Sequence, residues 1–156
     1  MRNFETTIRN AVRALILSGD QVLLLRKEDD DGSERYSLPG GAQDTGETLE
    51  QALQRECMEE IGTRVQVHGL QFVADYFKQK RGAPPYSRHQ IEFLFRCSVP
   101  AEYRPMNGEH PDKHQVEVVW VEPEKLQQIR LLPRAFMSCM RGGAAPDSHI
   151  YLGLID

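Results

Sequence analysis

Glu56, Glu59 and Glu60 stand at i, i+3 and i+4 within the stretch Arg55-Glu56-Cys57-Met58-Glu59-Glu60. On an α-helix that spacing places the carboxylates within roughly a 100° arc. Acids so close repel one another, and like charges at i, i+4 destabilise an isolated helix by about 0.2–0.5 kcal/mol. A divalent cation offsets that repulsion directly. Oxygen donors without a His or Cys cluster beside them suit Mg²⁺ or Mn²⁺ rather than zinc. The other reading is an ordinary solvated helix face, and the helical wheel argues against it. Leu49, Ala52 and Leu53 project into about the same sector as Glu56 and Glu60, whereas Gln51, Gln54 and Met58 lie on the far side. The acids continue the apolar stripe instead of opposing it.

The segment that must position these acids begins with a glycine pair, Gly40-Gly41, after a short strand over residues 36–38. Glycine lets a backbone approach a ligand closely, so a carbonyl there can join the oxygen donors. A helix is expected over residues 48–61, ending at Gly62, where a left-handed C-cap is cheap. Arg55 lies i, i+4 from Glu59 and next to Glu56, which suits it to orienting a carboxylate. Glu47, near the helix start, can meet the positive end of the helix dipole and is assigned a structural role.

Gly41, Glu47, Arg55, Glu56, Glu59, Glu60 and Gly62 have the spacing of the Nudix box, G-x5-E-x7-R-E-U-x-E-E-x-G-U with U a bulky aliphatic residue. The segment resembles that box, with departures at Cys57 and Thr63, both small enough to be buried. The resemblance implies an α/β fold, an α/β/α sandwich with a mixed sheet, filling one domain over residues 1–156. It implies water attack on phosphorus in a diphosphate, with Mg²⁺ (or Mn²⁺) held by Glu56, Glu59, Glu60 and the Gly40 carbonyl. The catalytic assignment is Glu59 as base, with Arg55 and Glu56. A fourth carboxylate ligand in relatives sits six residues before a late-strand tryptophan. Here that position is His114, and the acids within reach are Glu92, Glu109, Asp112 and Glu117.

For the substrate, residues 78–89 (KQKRGAPPYSRH) interleave cations with prolines and an aromatic residue. Lys78, Arg81 and Arg88 are expected to bind phosphate, with Tyr86 and Tyr36 as stacking partners. A solvated hairpin tip is the competing reading of this loop. The subgroup markers for ADP-ribose and dinucleoside polyphosphate hydrolases are both missing. The expected substrate is a nucleoside diphosphate derivative of the ADP-ribose or nucleotide-sugar type. The alternatives are nucleoside triphosphates or a nucleotide-sensing module without turnover.

The remaining elements follow from pattern and turn chemistry. Residues 8–17 and 22–25 read as a hairpin around Ser18-Gly19-Asp20. Residues 28–35 (EDDDGSER) read as a charged loop. Strands are expected over 65–67, 71–77, 91–99 and 116–121, with a surface loop over 100–115. Helices opened by proline are expected over 123–128 and 133–140, and a last strand over 149–154. At 156 residues the chain has the length of one domain. A net charge of −4 and a pI near 5.7 offer no bulk attraction to nucleic acid or to a membrane. Cys57, Cys97 and Cys139 are widely spaced and read as reduced core residues of a cytoplasmic protein. The partner expected is a nucleotide-type small molecule. Many Nudix relatives pair as homodimers, which the resemblance therefore allows, although no interface stripe is visible.

Overall fold

The computed structural model describes residues 3–140 and 150–156. Continuous apolar runs, buried on both faces, drive β1 (Arg9–Ser18) and β2 (Gln21–Glu28), joined by a tight turn in which Gly19 takes a positive φ of 58°. Two short strands follow, β3 (Glu34–Ser37) and β4 (Gly40–Ala42), and then α1 (Leu49–Ile61). A long hairpin is formed by β5 (Gln66–Lys80) and β6 (Tyr86–Ser98), and β7 (Gln115–Val121) comes after an extended loop. The chain closes with α2 (Pro123–Leu126), a 3-10 helix over Arg134–Met140, and β8 (Tyr151–Ile155).

The eight strands form a connected sheet in the order β3-β2-β1-β6-β5-β8, with β4 added to β1 and β7 to β2. It is mixed: β1 runs parallel to β6 and β8 parallel to β5, and the other pairs are antiparallel. On one face α1 covers Val12, Ala14, Ile16, Leu23 and Leu25 with Ala52, Leu53, Cys57 and Ile61. On the other, α2 and the 3-10 helix cover Leu15, Leu24, Phe72 and Leu94 with Leu126, Phe136 and Met140. This is the expected α/β/α sandwich. The cysteines are free thiols, with Cys57 and Cys97 buried as expected. Among the described residues, no helix is long and apolar enough to cross a membrane.

Several expectations needed correction. The separate strands over 65–67 and 71–77 are one strand, β5, with irregular pairing at Val67/Gly69 and Leu70/Phe72. Gly69, at the first of these, has weak strand preference but is carried along by the ladder to β6. The loop over 78–89 is mostly strand, because pairing continues from Lys78↔Arg88 to Lys80↔Tyr86 and leaves residues 81–85 as the turn. The glycine pair is itself a strand, β4, paired to β1 from Arg13↔Gly40 to Ala11↔Ala42. The last strand starts two residues later than expected, and His149 lies outside the described residues.

Leu53 is fully buried where α1 meets the sheet. Leu53→Ala should lower unfolding free energy by about 2–5 kcal/mol in urea titration. A loss well below 1 kcal/mol would show that α1 is held by something other than this apolar face.

Candidate active site

The helix that carries the acids is fixed at both ends. Thr48 caps it: its side chain accepts from the Gln51 N–H at 3.1 Å, while the Gln51 side chain accepts from the Thr48 N–H at 2.8 Å. At the other end Gly62, with φ 71°, donates its N–H to the Cys57 carbonyl. The loop before β7 then docks on the last turn. Gly108 donates to the Glu60 carbonyl at 3.0 Å, His110 to that of Glu59 at 3.1 Å, and the Gln115 amide to that of Glu60 at 2.7 Å. The expected helix is thus found to the residue at its C-terminus.

Across from the acids runs β4, and the glycines there are required by contact. A Cβ on Gly40 would lie 2.0 Å from the Val12 carbonyl oxygen, and its φ is 138°. A Cβ on Gly41 would lie 2.5 Å from Oε1 of Glu56. The Glu60 carboxylate accepts from the Gly40 N–H at 2.8 Å and is 4% exposed as a residue. Burial pushes its pKa up to about 8, against the pull of Lys27 and of that N–H. Burial likewise raises Glu56, against the pull of Arg55. Glu59 is the most open of the three, with its side chain 37% exposed.

Arg55 organises this group. Its fork donates to Glu47 at 2.6 and 3.1 Å, to Glu56 at 2.9 Å and to the Ala42 carbonyl at 2.9 Å, and it lies 3.5 Å from Glu59. Glu47 also accepts from the Asp44 N–H at 2.7 Å, which ties the loop before α1 to the helix. Glu47 and Arg55 thus lie in one hydrogen-bonded group with Glu56 and the loop before α1.

The acids open into a cleft of about 420 Å³, floored by Ala11, Gly40 and Gly41. Facing the acids are Arg9, Arg13, Lys27, Lys78, Arg88 and Lys113. Arg13 pairs with the fully buried Glu92 at 3.0 Å and also donates to the Gly40 carbonyl at 3.1 Å. That carbonyl, expected among the metal ligands, is therefore engaged by a guanidinium. Lys27 pairs with Asp112, which lines the cleft. Burial alone would raise the Asp112 carboxyl, but the Lys27 ammonium holds it below the usual carboxylate range. Among the described residues, no three His, Cys, Asp or Glu side chains converge as a ready-made metal site. Glu56 is turned toward Arg55 and Glu60 toward β4, so coordination would require these carboxylates to rotate.

The residues singled out from sequence divide into two groups. Glu56, Glu59, Glu60, Gly40, Lys78 and Arg88 line the cleft, and Arg55 stands behind the acids. Tyr36, Arg81 and Tyr86 do not line it. Tyr36 is buried in the second core cluster, with its hydroxyl donating to Glu34 at 3.0 Å. Arg81 is exposed and pairs with Asp31 at 2.9 Å. Tyr86 borders a separate groove with Tyr76 and Phe77. Of the acids near the fourth-ligand position only Asp112 lines the cleft. Glu92 is held by Arg13, Glu117 by Arg26 at 2.7 Å, and His114 lies 3.8 Å from Asp30. Arg9, Arg13, Lys27, Lys113 and Gln90 were not foreseen. For Arg9 and Arg13 the signal was present in the period-two series Arg9-Ala11-Arg13 along β1, which shares one face. Lys27, 4% exposed, stands out only as a charge at a buried strand position.

Comparison with known proteins agrees with this geometry. The NUDIX domain model matches residues 7–137. A MutT-like protein from Streptomyces ambofaciens is 29% identical over 119 residues, spanning 76% of this chain and 66% of that protein, just under two thirds of its length. The nucleoside triphosphatase NudI from Enterobacter sp. (strain 638) is 29% identical over 129 residues, covering 79% of this chain and 88% of its own. Among solved structures, an ADP-ribose pyrophosphatase from Streptococcus suis superposes with a TM-score of 0.62 at 17% identity, over 95% of this chain and 99% of that one. The chain belongs to the NUDIX family.

The two glycines of β4 meet different obstacles, and substitution should separate them. Gly40→Ala drives a Cβ into backbone and should destabilise the fold by about 1–3 kcal/mol or more. Gly41→Ala meets only the end of a flexible carboxylate, so its thermal midpoint should stay close to wild type while Glu56 is displaced. Equal losses of midpoint in the two variants would contradict this account.

Proposed function

We propose that this chain hydrolyses a diphosphate linkage within a nucleoside diphosphate derivative, using Mg²⁺ or Mn²⁺ held by Glu56, Glu59 and Glu60. The observation that carries the reading is the pair of desolvated carboxylates, Glu56 and Glu60, beside an open third acid in a cationic cleft. Among the described residues the Glu60 carboxylate has a single N–H as its hydrogen-bond partner, so most of its oxygen donor capacity is left for a hard cation. When bound, the cation supplies charge neutralisation on the diphosphate and lowers the pKa of water.

The chain's own residues supply the rest. Arg55 keeps Glu56 ionised and close to Glu47, from where its carboxylate can turn toward a cation. Arg13 and Lys27 bring positive charge to the phosphate oxygens at the floor of the cleft. Glu59, the acid with most freedom, accepts a proton from the attacking water. The water oxygen bonds to phosphorus as the bridging P–O bond breaks, and the leaving phosphate oxygen keeps the electron pair. Lys78 and Arg88 bind substrate phosphates. ADP-ribose and nucleotide sugars satisfy this description, and so do nucleoside triphosphates. The names of the relatives include both kinds of substrate. The proposed setting is cytoplasmic, where such nucleotides and Mg²⁺ are both plentiful.

Glu60→Gln changes donor charge without changing side-chain volume. It should reduce kcat by about a hundredfold or more on any active substrate, with an unchanged circular dichroism spectrum. Assay would be by phosphate release from triphosphates, ADP-ribose and nucleotide sugars with a coupling phosphatase. Wild-type turnover that survives chelator, or a Glu60→Gln enzyme near wild-type rate, would refute the metal assignment.

A further inference from the structure

Strand pairing puts Lys78 directly opposite Arg88 on the β5–β6 ladder, and both line the cleft. Like charges directly opposite each other weaken a sheet, so the pair needs compensation. Arg88 has it: Glu5 accepts from its guanidinium at 2.7 and 3.0 Å. Arg13 has Glu92, and Lys27 has Asp112. Lys78 makes no ion pair or side-chain hydrogen bond among the described residues. It is partly buried, and the charges that bear on it most are cations, Arg13, Lys80 and Lys27 among them. Lys78 also bears on Asp112, but Lys27 already occupies that carboxylate. Desolvation and these neighbours lower the Lys78 pKa to about 8. An unpaired ammonium kept in an open cleft against its own electrostatic interest is an arrangement that an anion completes.

A diphosphate substrate with a neutral sugar beyond it already has Arg13, Lys27 and the acid-bound cations for its charge. We propose that Lys78 holds a further phosphate beyond the scissile diphosphate, so that the substrate of this cleft is a nucleoside triphosphate and not a nucleoside diphosphate joined to a neutral sugar. This rests on the hydrolase reading for turnover, but the binding it implies does not require turnover. Lys78 is then a specificity-determining residue, and its charge state is maintained at the expense of the empty fold.

The test is calorimetric and kinetic together. A nucleoside triphosphate with methylene groups in place of both phosphate-bridging oxygens, the matched nucleoside diphosphate and ADP-ribose would be titrated with Mg²⁺ into wild type, Lys78→Met and Lys78→Arg. Wild type should bind the triphosphate analogue most tightly. Lys78→Met should weaken that binding by about tenfold to a hundredfold, as expected for loss of a charge-assisted hydrogen bond, with a clearly smaller loss for the diphosphate. Lys78→Arg should restore most of it. Because Lys78→Met removes an uncompensated charge, its thermal midpoint without ligand should equal or exceed that of wild type. Equal losses for triphosphate and diphosphate, tighter wild-type binding of ADP-ribose, or a lowered midpoint with unchanged binding would each overturn the proposal. On hydrolysable substrates the same pattern should appear as a raised KM for the triphosphate. If no nucleotide is turned over while the Lys78-dependent triphosphate binding is present, the hydrolase reading fails and the anion site stands.

Discussion

The site depends on burying the Glu60 carboxylate against the backbone of β4. A carboxylate taken out of water loses several kcal/mol of solvation unless charge or hydrogen bonds replace it. Here the replacement is partial: a single Gly40 N–H and the more distant Lys27 and Arg13. The arrangement is possible because β4 comes close enough for that N–H to reach, and it comes close because residues 40 and 41 have no side chains. Gly40 presses on the carbonyl of Val12 and Gly41 on the carboxylate of Glu56, so the same strand is pinched between β1 and α1. Apolar packing of α1 by Leu53, Cys57 and Ile61 supplies the stability that the acids one turn away subtract.

Around that pinch the cleft separates its charges. Glu56, Glu59 and Glu60 come from one helix face and Asp112 from the loop before β7, whereas the cations come from strands β1, β2, β5 and β6 and from that same loop. Left to themselves, opposite charges in one cleft would collapse into salt bridges. The helix acids and the cations are kept apart by partners of their own: Arg55 for Glu56, Glu92 for Arg13, Asp112 for Lys27 and Glu5 for Arg88. Glu92 and Glu5 lie outside the cleft lining, so the cations they steady still present positive charge inward.

How much of this could be read from sequence followed how local each feature is. The helix to Ile61, the C-cap at Gly62 and the placement of Glu56 and Glu60 on the buried side are set by residues within a few positions of one another, and all were legible; Thr48 was read as the first helical residue and is the cap before it. Arg55 was legible for the same reason. The cationic wall was not, because it is assembled by register. Arg9 meets Gln90, and Lys78 meets Arg88, only once β1, β6 and β5 are aligned, and no single strand announces that alignment. Tyr36 was misplaced because an aromatic residue beside a glycine pair looks like a ligand platform, while its actual environment comes from the distant Leu131 and Arg130 backbone. The long hairpin was misread as a loop because its charges, Lys78, Lys80 and Arg88, are the residues of a solvated tip as well as those of a strand that borders a charged cleft.

The position of the cleft follows from the course of β1. Along its length β1 stays parallel to β6, but on its other edge it pairs first with β4 and only at its end with β2. Between those two partners the sheet parts, and the backbone groups freed there are taken up by the chain around the glycine pair, as where the Ala14 N–H donates to the Pro39 carbonyl. Arg13 sits at this parting, and its guanidinium spans from the Gly40 carbonyl to Glu92 on the far strand. A cleft opened where neighbouring strands diverge has rigid walls, so Arg9, Arg13, Lys27, Lys78 and Arg88 are positioned by the sheet, while the three glutamates stand on α1 and Lys113 on the loop before β7. That rigidity lets the Lys78 ammonium persist without an ion-pair partner among the described residues, since side chains that could relax toward one another are anchored on strands held apart by the ladder.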